Sequence, residues 1–118
     1  MKTVIIGDIH GNPIWKDIIN KEKDSKFIFI GDYFDSFIYS QKQCLKNYLE
    51  IIEFKKSNMD NVILLFGNHE FHYLSSTNEK YKGYKPDLAF LIEEYLIKHI
   101  NSDLLQMSYQ FDNFLFTH

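Results

Sequence analysis

The sequence predicts an α/β fold in which helices cover a parallel sheet. Three short apolar runs, over residues 3–6, 27–30 and 62–66, each end in a glycine. These runs are apolar throughout rather than alternating, which is typical of strands that are buried on both faces. Segments with helical spacing lie between and after them. The expected order of elements is β-α-β-α-β-α-β-β, which is the order of an α/β sandwich.

Three helices are predicted from their start signals and their apolar spacing. Asn12 and Pro13 are typical N-cap and first-turn residues, and the apolar positions that share a face behind them are Ile14, Trp15, Ile18 and Ile19. Ser40 and Gln43 form a capping-box pattern, and the apolar face that follows consists of Cys44, Leu45, Tyr48, Leu49 and Ile52. The third helix is predicted over residues 86–101, with these residues turned inward: Leu88, Leu91, Ile92, Tyr95, Leu96 and Ile100.

The end of the chain predicts two further strands. They cover residues 104–110 and 114–117, on either side of the turn residues Asp112 and Asn113. The sequence contains no internal repeat, no low-complexity tract and no linker rich in Pro, Gly or Ser. We therefore expect one domain over residues 1–118.

Composition and charge limit the possible functions. The chain has 118 residues, 45% hydrophobic and 25% charged, which is typical of a soluble domain with one modest core. No apolar run is long enough for a membrane span or a signal peptide. The single cysteine, Cys44, cannot form an internal disulfide, so a reduced, cytoplasmic location is expected. The net charge is −3 and all 13 basic residues are scattered lysines, so neither a nucleic-acid groove nor a membrane surface is indicated.

Polar residues follow each of the first three predicted strands. The sets run from Gly7 to Asn12, from Gly31 to Asp35 and from Gly67 to Glu70. In an open α/β sheet, ligands bind beyond the carboxyl ends of the strands. The three sets should therefore meet at one rim although they are far apart in the sequence. His118, at the end of the last strand, is a fourth candidate.

The residue types in these sets suit two divalent cations. Asp8 and His10 are two positions apart in an extended segment, so their side chains can turn to the same side. The carboxylate of Asp32 could bridge two ions, while Asn68 offers an amide oxygen and His118 an imidazole. Nitrogen and oxygen donors without thiolate favour Mn first, and also Fe, Zn, Co or Ni. Two ions about 3.5–4 Å apart would clamp an in-line displacement and lower the pKa of a shared water.

His69 is the candidate general acid. It follows Asn68 directly, so its side chain should point elsewhere than the amide, towards a leaving oxygen that needs a proton. Asp35 could accept a hydrogen bond from the His69 ring and so fix its tautomer. Without arginine in the chain, binding of a phosphate would rely on metals, Lys, Asn, His and backbone N–H groups.

Other polar residues near the motifs are given structural roles. Glu70 is interpreted as a helix-start residue or a support behind the ligands. His72 and Tyr73 could line the pocket, but a solvated loop is expected for them. Lys55 and Lys56 are expected at a solvated helix end. His99 falls late in the third predicted helix, where a cation suits the helix dipole.

The motifs resemble those of the calcineurin-like metallophosphoesterase superfamily, most closely its phosphoprotein (serine/threonine) phosphatase branch. They are GDIHG at 7–11, GDYFDS at 31–36, GNHE at 67–70 and FTH at 116–118. The resemblance spans the whole chain, with the motifs in the family's order. It implies an α/β/β/α sandwich, of which this chain would be the N-terminal half, and hydrolysis of a phosphate ester with a metal-bridging hydroxide as nucleophile.

The same resemblance implies a role for each site residue. Asp8, His10 and Asp32 would hold the first ion. The second ion would be held by Asp32, Asn68 and His118. Asp35 and His69 would form the acid pair.

The sequence departs from the family pattern at two points. Ser36 stands where the phosphoprotein phosphatases have a phosphate-binding arginine, which weakens a phosphoprotein specificity. The chain stops at His118, before the glycines and the later histidine that usually complete the second metal site. We therefore expect a catalytic domain that is incomplete at its C-terminus and is by itself a poor or inactive hydrolase.

Two alternatives to a phosphoesterase belong to other classes. One is a non-catalytic metal-binding or interaction module, left by truncation of such an enzyme. The other is a receiver-like signalling domain, but that hypothesis leaves His10 and the residues at 68–70 unexplained. For the enzyme, a phosphoprotein, a dinucleoside polyphosphate or a small phosphomonoester would each fit as substrate.

Overall fold

The computed structural model describes residues 1–74 and 80–118. Its elements in chain order are β1 (Thr3–Ile6), α1 (Trp15–Lys21), β2 (Lys26–Phe29), α2 (Gln41–Ser57), β3 (Val62–Leu64), α3 (Asn68–Phe71), α4 (Ala89–Asn101), β4 (Ser108–Phe111) and β5 (Phe114–Thr117). The predicted α/β order is confirmed. One element is added to it, the single-turn helix α3, which begins inside the third glycine-led motif.

The first three strands form a parallel sheet in the order β1-β2-β3. Val4 lies opposite Phe27, and Phe27 lies opposite Val62. A single parallel bridge between Leu65 and Gln106 extends the sheet beyond β3. Because the three strands run in the same direction, their carboxyl ends meet at one edge, and the loops that follow them can share a site.

The two faces of the sheet have different covers. Phe27 and Phe29 belong to the main core, which α1, α2 and α4 complete. Ile28 points to the opposite face, where it packs with Tyr109 and Phe116 of the β4-β5 hairpin. The described residues therefore build three layers: helices, parallel sheet and hairpin. This arrangement is the α/β/β part of the predicted sandwich.

The first helix begins later than predicted. Asn12 is not its N-cap; the Asn12 side-chain oxygen accepts a hydrogen bond from the Ile14 backbone N–H at 3.0 Å, which forms a separate turn before the helix. The regular helix then begins at Trp15, whose indole is buried. Ile14 is half exposed, so it lies outside the apolar face assigned to it.

The capping box of α2 is confirmed. The Ser40 hydroxyl accepts from the Gln43 backbone N–H at 3.1 Å, and the Gln43 side chain accepts from the Ser40 N–H at 2.8 Å. The prediction for Lys55 is wrong. This side chain is buried, and its ammonium donates to the carbonyls of Met59 and Val62 at 2.8 and 2.5 Å. Lys55 therefore ties the end of α2 to the start of β3.

The helix α4 begins at Ala89, three residues after Pro86. Leu88, in the left-handed region at φ 63°, precedes it, and Leu91 is also partly exposed. Both were expected to face inward. Ile92 and Leu96 are buried as predicted.

His99 is not a solvated cation at the end of α4. Its ring is buried, with Nδ1 2.6 Å from the Tyr48 hydroxyl. Burial lowers the pKa of His99 to about 4, and nearby Lys56 and Lys98 act in the same direction. A neutral ring that packs in the core therefore replaces the expected cation.

The fourth strand is shorter than predicted and starts at Ser108. Leu104 and Leu105 are not in a strand; both are buried in the main core, and their N–H groups donate to the His99 carbonyl at 2.9 and 3.3 Å. Their apolar character reflects packing against α4 rather than sheet pairing. Among the helices of residues 1–74 and 80–118, none combines the length and apolarity needed to span a bilayer.

Candidate metal centre and acid pair

The three loops after β1, β2 and β3 are joined by backbone hydrogen bonds. The N–H groups of Ile9 and His10 donate to the Asp32 carbonyl at 3.1 and 2.8 Å, which joins the first loop to the second. The Glu70 carboxylate accepts from the N–H groups of Asp32 and Tyr33, both at 2.7 Å, which joins the third loop to the second. The structure thus brings the three glycine-led motifs together at one rim.

Glu70 supports the site from behind. It is buried, and its carboxylate accepts a third backbone hydrogen bond from Gly67 at 2.9 Å. Burial raises the pKa of Glu70 to about 8, although the three N–H donors act in the opposite direction. These contacts make Glu70 a structural clamp between the second and third motifs.

Three of the predicted site residues have left-handed backbone conformations. His10, Asp32 and Asp35 have φ values of 43°, 58° and 70°. Such conformations cost on the order of 1–3 kcal/mol each for residues other than glycine, and they persist only where the surrounding structure enforces them. At all three positions the left-handed conformation marks a turn in the loop that carries the side chain.

The carboxylate of Asp32 lies at the centre of the candidate metal donors. Its Oδ1 accepts from the His69 backbone N–H at 3.0 Å. Its Oδ2 lies 3.1 Å from Nε2 of His118 and 4.0 Å from Nε2 of His10. Asp8 is more exposed, with its Oδ2 3.8 Å from Nε2 of His10. A single oxygen of Asp32 therefore faces two imidazoles.

The hydrogen bonds of these two imidazoles identify their free nitrogen. Nδ1 of His10 lies 2.6 Å from the Phe34 carbonyl, and Nδ1 of His118 lies 2.8 Å from the Ile30 carbonyl. Because a carbonyl can only accept, each Nδ1 carries a proton, and each neutral ring has its lone pair on Nε2. Second-sphere bonds of this kind are usual for metal-binding histidines.

The free nitrogen of His118 faces oxygen atoms at short range. Besides Asp32 Oδ2, the side-chain oxygen of Asn68 lies 2.8 Å away from it. A nitrogen lone pair beside two oxygens is repulsive unless a positive charge lies between them, either a ring proton or a metal ion. The donors are nitrogen and oxygen without sulfur, so the residues fit divalent ions such as Mn, Fe, Zn, Co or Ni.

Two groups with metal-ligand spacing share Asp32. One consists of His10, Asp32 and His69, and the other of Asp8, Asp32 and His118, with all ligand atoms of a group within 4.8 Å of one another. The grouping differs from the expected one in two ways: Asp8 falls with His118 and not with His10, and His69, the predicted acid, takes the place of Asp8 beside His10. A carboxylate shared between two such groups could contact a cation in each of them.

The Asp35 carboxylate accepts hydrogen bonds from four side chains. Its Oδ2 accepts from Nδ1 of His69 at 2.8 Å and from Nε2 of His72 at 2.6 Å. Its Oδ1 accepts from Nε2 of Gln41 at 3.2 Å and from the Tyr73 hydroxyl. The structure therefore pairs Asp35 with His69, and the Nδ1–H bond leaves Nε2 of His69 for another partner.

The partners of Asp35 include residues that were expected in a solvated loop. His72 and Tyr73 are buried. Nδ1 of His72 accepts from the Tyr81 N–H at 3.0 Å, so the proton lies on Nε2 and is donated to Asp35. Burial lowers the pKa of His72 even though Asp35 acts against this. His69 and His72 are three residues apart, which places two side chains on the same face of a helical turn. This spacing is the signal in the sequence that could have predicted that both contact Asp35.

A cleft of about 570 Å³ opens in front of the acid pair. It is lined by Asp8, Ile9, His10, Asn12, Asp35, Ser36, Phe37, Ile38, Tyr39, His69 and Lys82. Phe37 and Ile38 are 85% and 86% exposed, so one wall of the cleft presents apolar surface to solvent. Asn68 and His118 line a second cleft of about 490 Å³. The candidate metal donors thus lie between two accessible surfaces.

Ser36 does not replace the missing arginine. Its hydroxyl accepts from the N–H groups of Ile38 and Tyr39, both at 2.9 Å, and so shapes the loop that carries the apolar wall. Its side chain is buried rather than directed at a ligand.

Comparison with known proteins agrees with this geometry. Residues 1–118 match the family model described as calcineurin-like phosphoesterase. No curated protein and no solved structure matches the chain. The matched range contains all the loops that carry the candidate metal donors and the acid pair.

Proposed function

Since the chain belongs to the calcineurin-like phosphoesterase family, we propose that it hydrolyses phosphate monoesters with two divalent cations at the Asp32 edge. Members of this family are generally phosphoesterases that bind divalent metals. The observation that carries the proposal is the position of His118, whose free Nε2 lies beside Asp32 Oδ2 and Asn68 Oδ1. These three residues would hold a cation, whose charge would offset the repulsion between their donor atoms.

The proposed ligands are Asp8, His10, Asp32, Asn68 and His118. When bound, two divalent ions would stabilise negative charge on the phosphoryl oxygens. They would also lower the pKa of a bound water, so that hydroxide is available for attack near neutral pH. We propose Mn as the first candidate, because the donors are mixed nitrogen and oxygen atoms.

His69 is proposed to hold the proton that the leaving oxygen needs. Its Nδ1–H is fixed by the Asp35 carboxylate, and the residue lines the cleft. In the reaction, a water molecule loses one proton to solvent and its oxygen forms a new bond to phosphorus, while the bond to the leaving oxygen breaks. A proton at Nε2 of His69 passes to that oxygen, so the leaving group departs with a neutral hydroxyl, and His69 takes up a proton again from solvent.

Of the three expected substrate classes, the small phosphomonoester is the one we propose. The position of the phosphoprotein phosphatases' arginine is occupied by Ser36, which is buried and used within its own loop. The described residues lining the cleft therefore offer no guanidinium to bind a phosphoprotein.

Metal analysis and turnover together test the proposal. The chain should bind Mn and hydrolyse p-nitrophenyl phosphate at a low but measurable rate, and Asp32→Asn should lose both properties. Asp17→Asn, on the exposed side of α1, is the matched control and should keep both. A chain that binds no Mn would refute the proposal. Binding of Mn without any turnover would instead favour a non-catalytic metal-binding module.

A further inference from the structure

We propose that Lys82 makes this cleft selective for phosphate esters whose leaving group carries its own negative charge. The inference rests on the proposed function, because it concerns the leaving-group side of the same site. The observations behind it are the anchoring of the loop over residues 80–85, the Lys82 ammonium, which has no partner among the described residues, and the charges that line the cleft.

The loop over residues 80–85 is fixed against the acid pair by two of its three lysines. The Lys80 ammonium donates to the His72 carbonyl at 2.6 Å. The Lys85 ammonium donates to the Ser36 carbonyl, also at 2.6 Å, and the Lys85 N–H donates to the Tyr73 hydroxyl at 3.1 Å. Both ends of the loop are therefore tied to residues that surround Asp35.

Tyr84 and Gly83 hold the middle of this loop close to the acid pair. The Tyr84 ring stacks on Tyr73 with centroids 5.0 Å apart. Gly83 has φ +99°, and a Cβ atom there would lie 3.5 Å from Cβ of Asp35 and 3.6 Å from Cε1 of His69. The backbone at Gly83 thus passes directly beside His69, and the preceding residue, Lys82, lies on the same side.

Lys82 differs from its two neighbouring lysines. Its side chain is exposed and lines the cleft together with His69. Within residues 1–74 and 80–118, no hydrogen bond or ion pair engages its ammonium, whereas Lys80 and Lys85 both have carbonyl partners. The anchored loop therefore presents one uncommitted positive charge to the cleft.

The charges that line the cleft show what this ammonium can bind. Lys82 is the one lysine among the described lining residues, and the chain contains no arginine. The transferred phosphoryl group would be neutralised by the cations at Asp32. The leaving group lies beside His69, which protonates it, and Lys82 is the positive side chain on that side. Phe37 and Ile38 offer apolar surface to the body of the same group.

Binding of two phosphonates tests the proposal without requiring turnover. One is 4-carboxybenzylphosphonate and the other is its neutral carboxamide; the C–P bond of both resists hydrolysis. In calorimetry with the Mn-loaded chain, the carboxylate should bind about fivefold more tightly, as expected for a charge pair about 4 Å apart in water. Lys82→Met should abolish this preference, and Lys82→Arg should keep it.

Lys46→Met is the matched control, since it removes an exposed lysine from α2 without touching the cleft. The Lys46→Met variant should keep the preference for the carboxylate. In the unaltered chain, ~1 M salt should reduce this preference, because the screening length is then only ~3 Å. Equal binding of both phosphonates, or a preference that survives Lys82→Met, would overturn the role of Lys82 and leave the proposed function intact. If neither phosphonate binds, both proposals fail together.

Discussion

Asp35 and Asp32 are both buried residues, at 3% exposure, but their carboxylates have opposite surroundings. Asp35 accepts hydrogen bonds from four side chains, among them His69. Asp32 has one oxygen bound by the His69 N–H, while its other oxygen faces the free Nε2 atoms of His10 and His118.

This difference separates two ways of holding a buried charge. The donors around Asp35 are all supplied by the chain, so the acid pair keeps its geometry without a ligand. Beside Oδ2 of Asp32 the neighbours are imidazole nitrogens, so the arrangement needs a positive charge there, either a ring proton or a metal ion, to be favourable. A substitution near Asp35 should therefore change the rate of hydrolysis, and a substitution at Asp32 should change the binding of metal.

The largest effect is expected for His69→Asn. Loss of the proton donor should lower the rate of hydrolysis by roughly 10²–10⁴-fold, while Mn content measured by bound-metal analysis should hardly change. The loss should be smaller for aryl than for alkyl phosphates, because an aryl leaving group hardly needs a proton. Equal losses for the two ester types would show that His69 is not the acid.

The next largest effect is expected for Asp32→Asn. An amide at this position still accepts from the His69 N–H but no longer supplies a negative oxygen between the two imidazoles. Calorimetric Mn affinity should fall by more than the roughly 10–100-fold that loss of an outer partner costs. Asp35→Asn, a change of the same kind at another buried carboxylate, should keep most of the affinity. Equal losses of affinity in the two variants would contradict the division between the two regions.

Much of this contrast could be predicted from the sequence, because it depends on neighbours along the chain. Asp32, Asn68 and His69 each follow a buried parallel strand, and parallel strands end at the same edge of their sheet. The sequence could not show that His72 and Tyr73 are buried. Their burial depends on the loop over residues 80–85, which packs over them from the far side of α3.

The errors outside the site have a similar cause. Lys55 and His99 were expected at solvated helix ends, which is the usual setting of such residues. Lys55 is buried because β3 begins close enough to offer carbonyl acceptors, and His99 because Tyr48 of α2 lies opposite. Leu104 and Leu105 were expected in a strand for their apolar character alone. In each case a tertiary contact overrides a correct local pattern.

His99 leads to a stability prediction that does not involve the site. Its pKa is about 4 in the folded chain, because of burial, and about 6.5 in an unfolded chain. The unfolded state therefore binds more protons between these values, so stability is complete above pH 6.5 and is lost as the pH falls towards 4. The loss should be on the order of 3 kcal/mol in the free energy of unfolding.

Urea unfolding at pH 7 and pH 4.5 measures this loss, with His99→Gln as the comparison. Gln can still bond the Tyr48 hydroxyl but does not titrate. Lys56, Lys98 and Glu53, which also act on His99, are unchanged in the variant. The variant should lose clearly less stability than the unaltered chain, since contributions from other groups such as His72 cancel in the comparison. Parallel pH dependences would show that His99 is not the group responsible.

The smallest effect is expected for Tyr73→Phe, which removes one of the four donors to Asp35. The Tyr73 hydroxyl also accepts from Gln41 at 2.7 Å and from the Lys85 N–H, so its loss frees the loop as well. We expect a loss of about 1.5–3 kcal/mol in stability, as for other hydrogen bonds to charged groups. The rate of hydrolysis should fall about tenfold, less than the ~10²-fold cost of a 1 Å misplacement, because three donors still hold Asp35.

Tyr48→Phe separates these two consequences. It removes an equally buried hydroxyl, bonded to His99 Nδ1 at 2.6 Å, from a place that does not touch the acid pair. The free energy of unfolding of Tyr48→Phe should fall about as much as that of Tyr73→Phe. At a temperature where both variants are folded, the rate of hydrolysis by Tyr48→Phe should stay near that of the unaltered chain. Tyr73→Phe should lower the rate with Mn affinity unchanged, because Asp35 positions His69 and binds no proposed ion. If both variants lowered the rate equally, the effect would come from general loosening of the core, and the hydrogen bonds around Asp35 would have no special part in positioning His69.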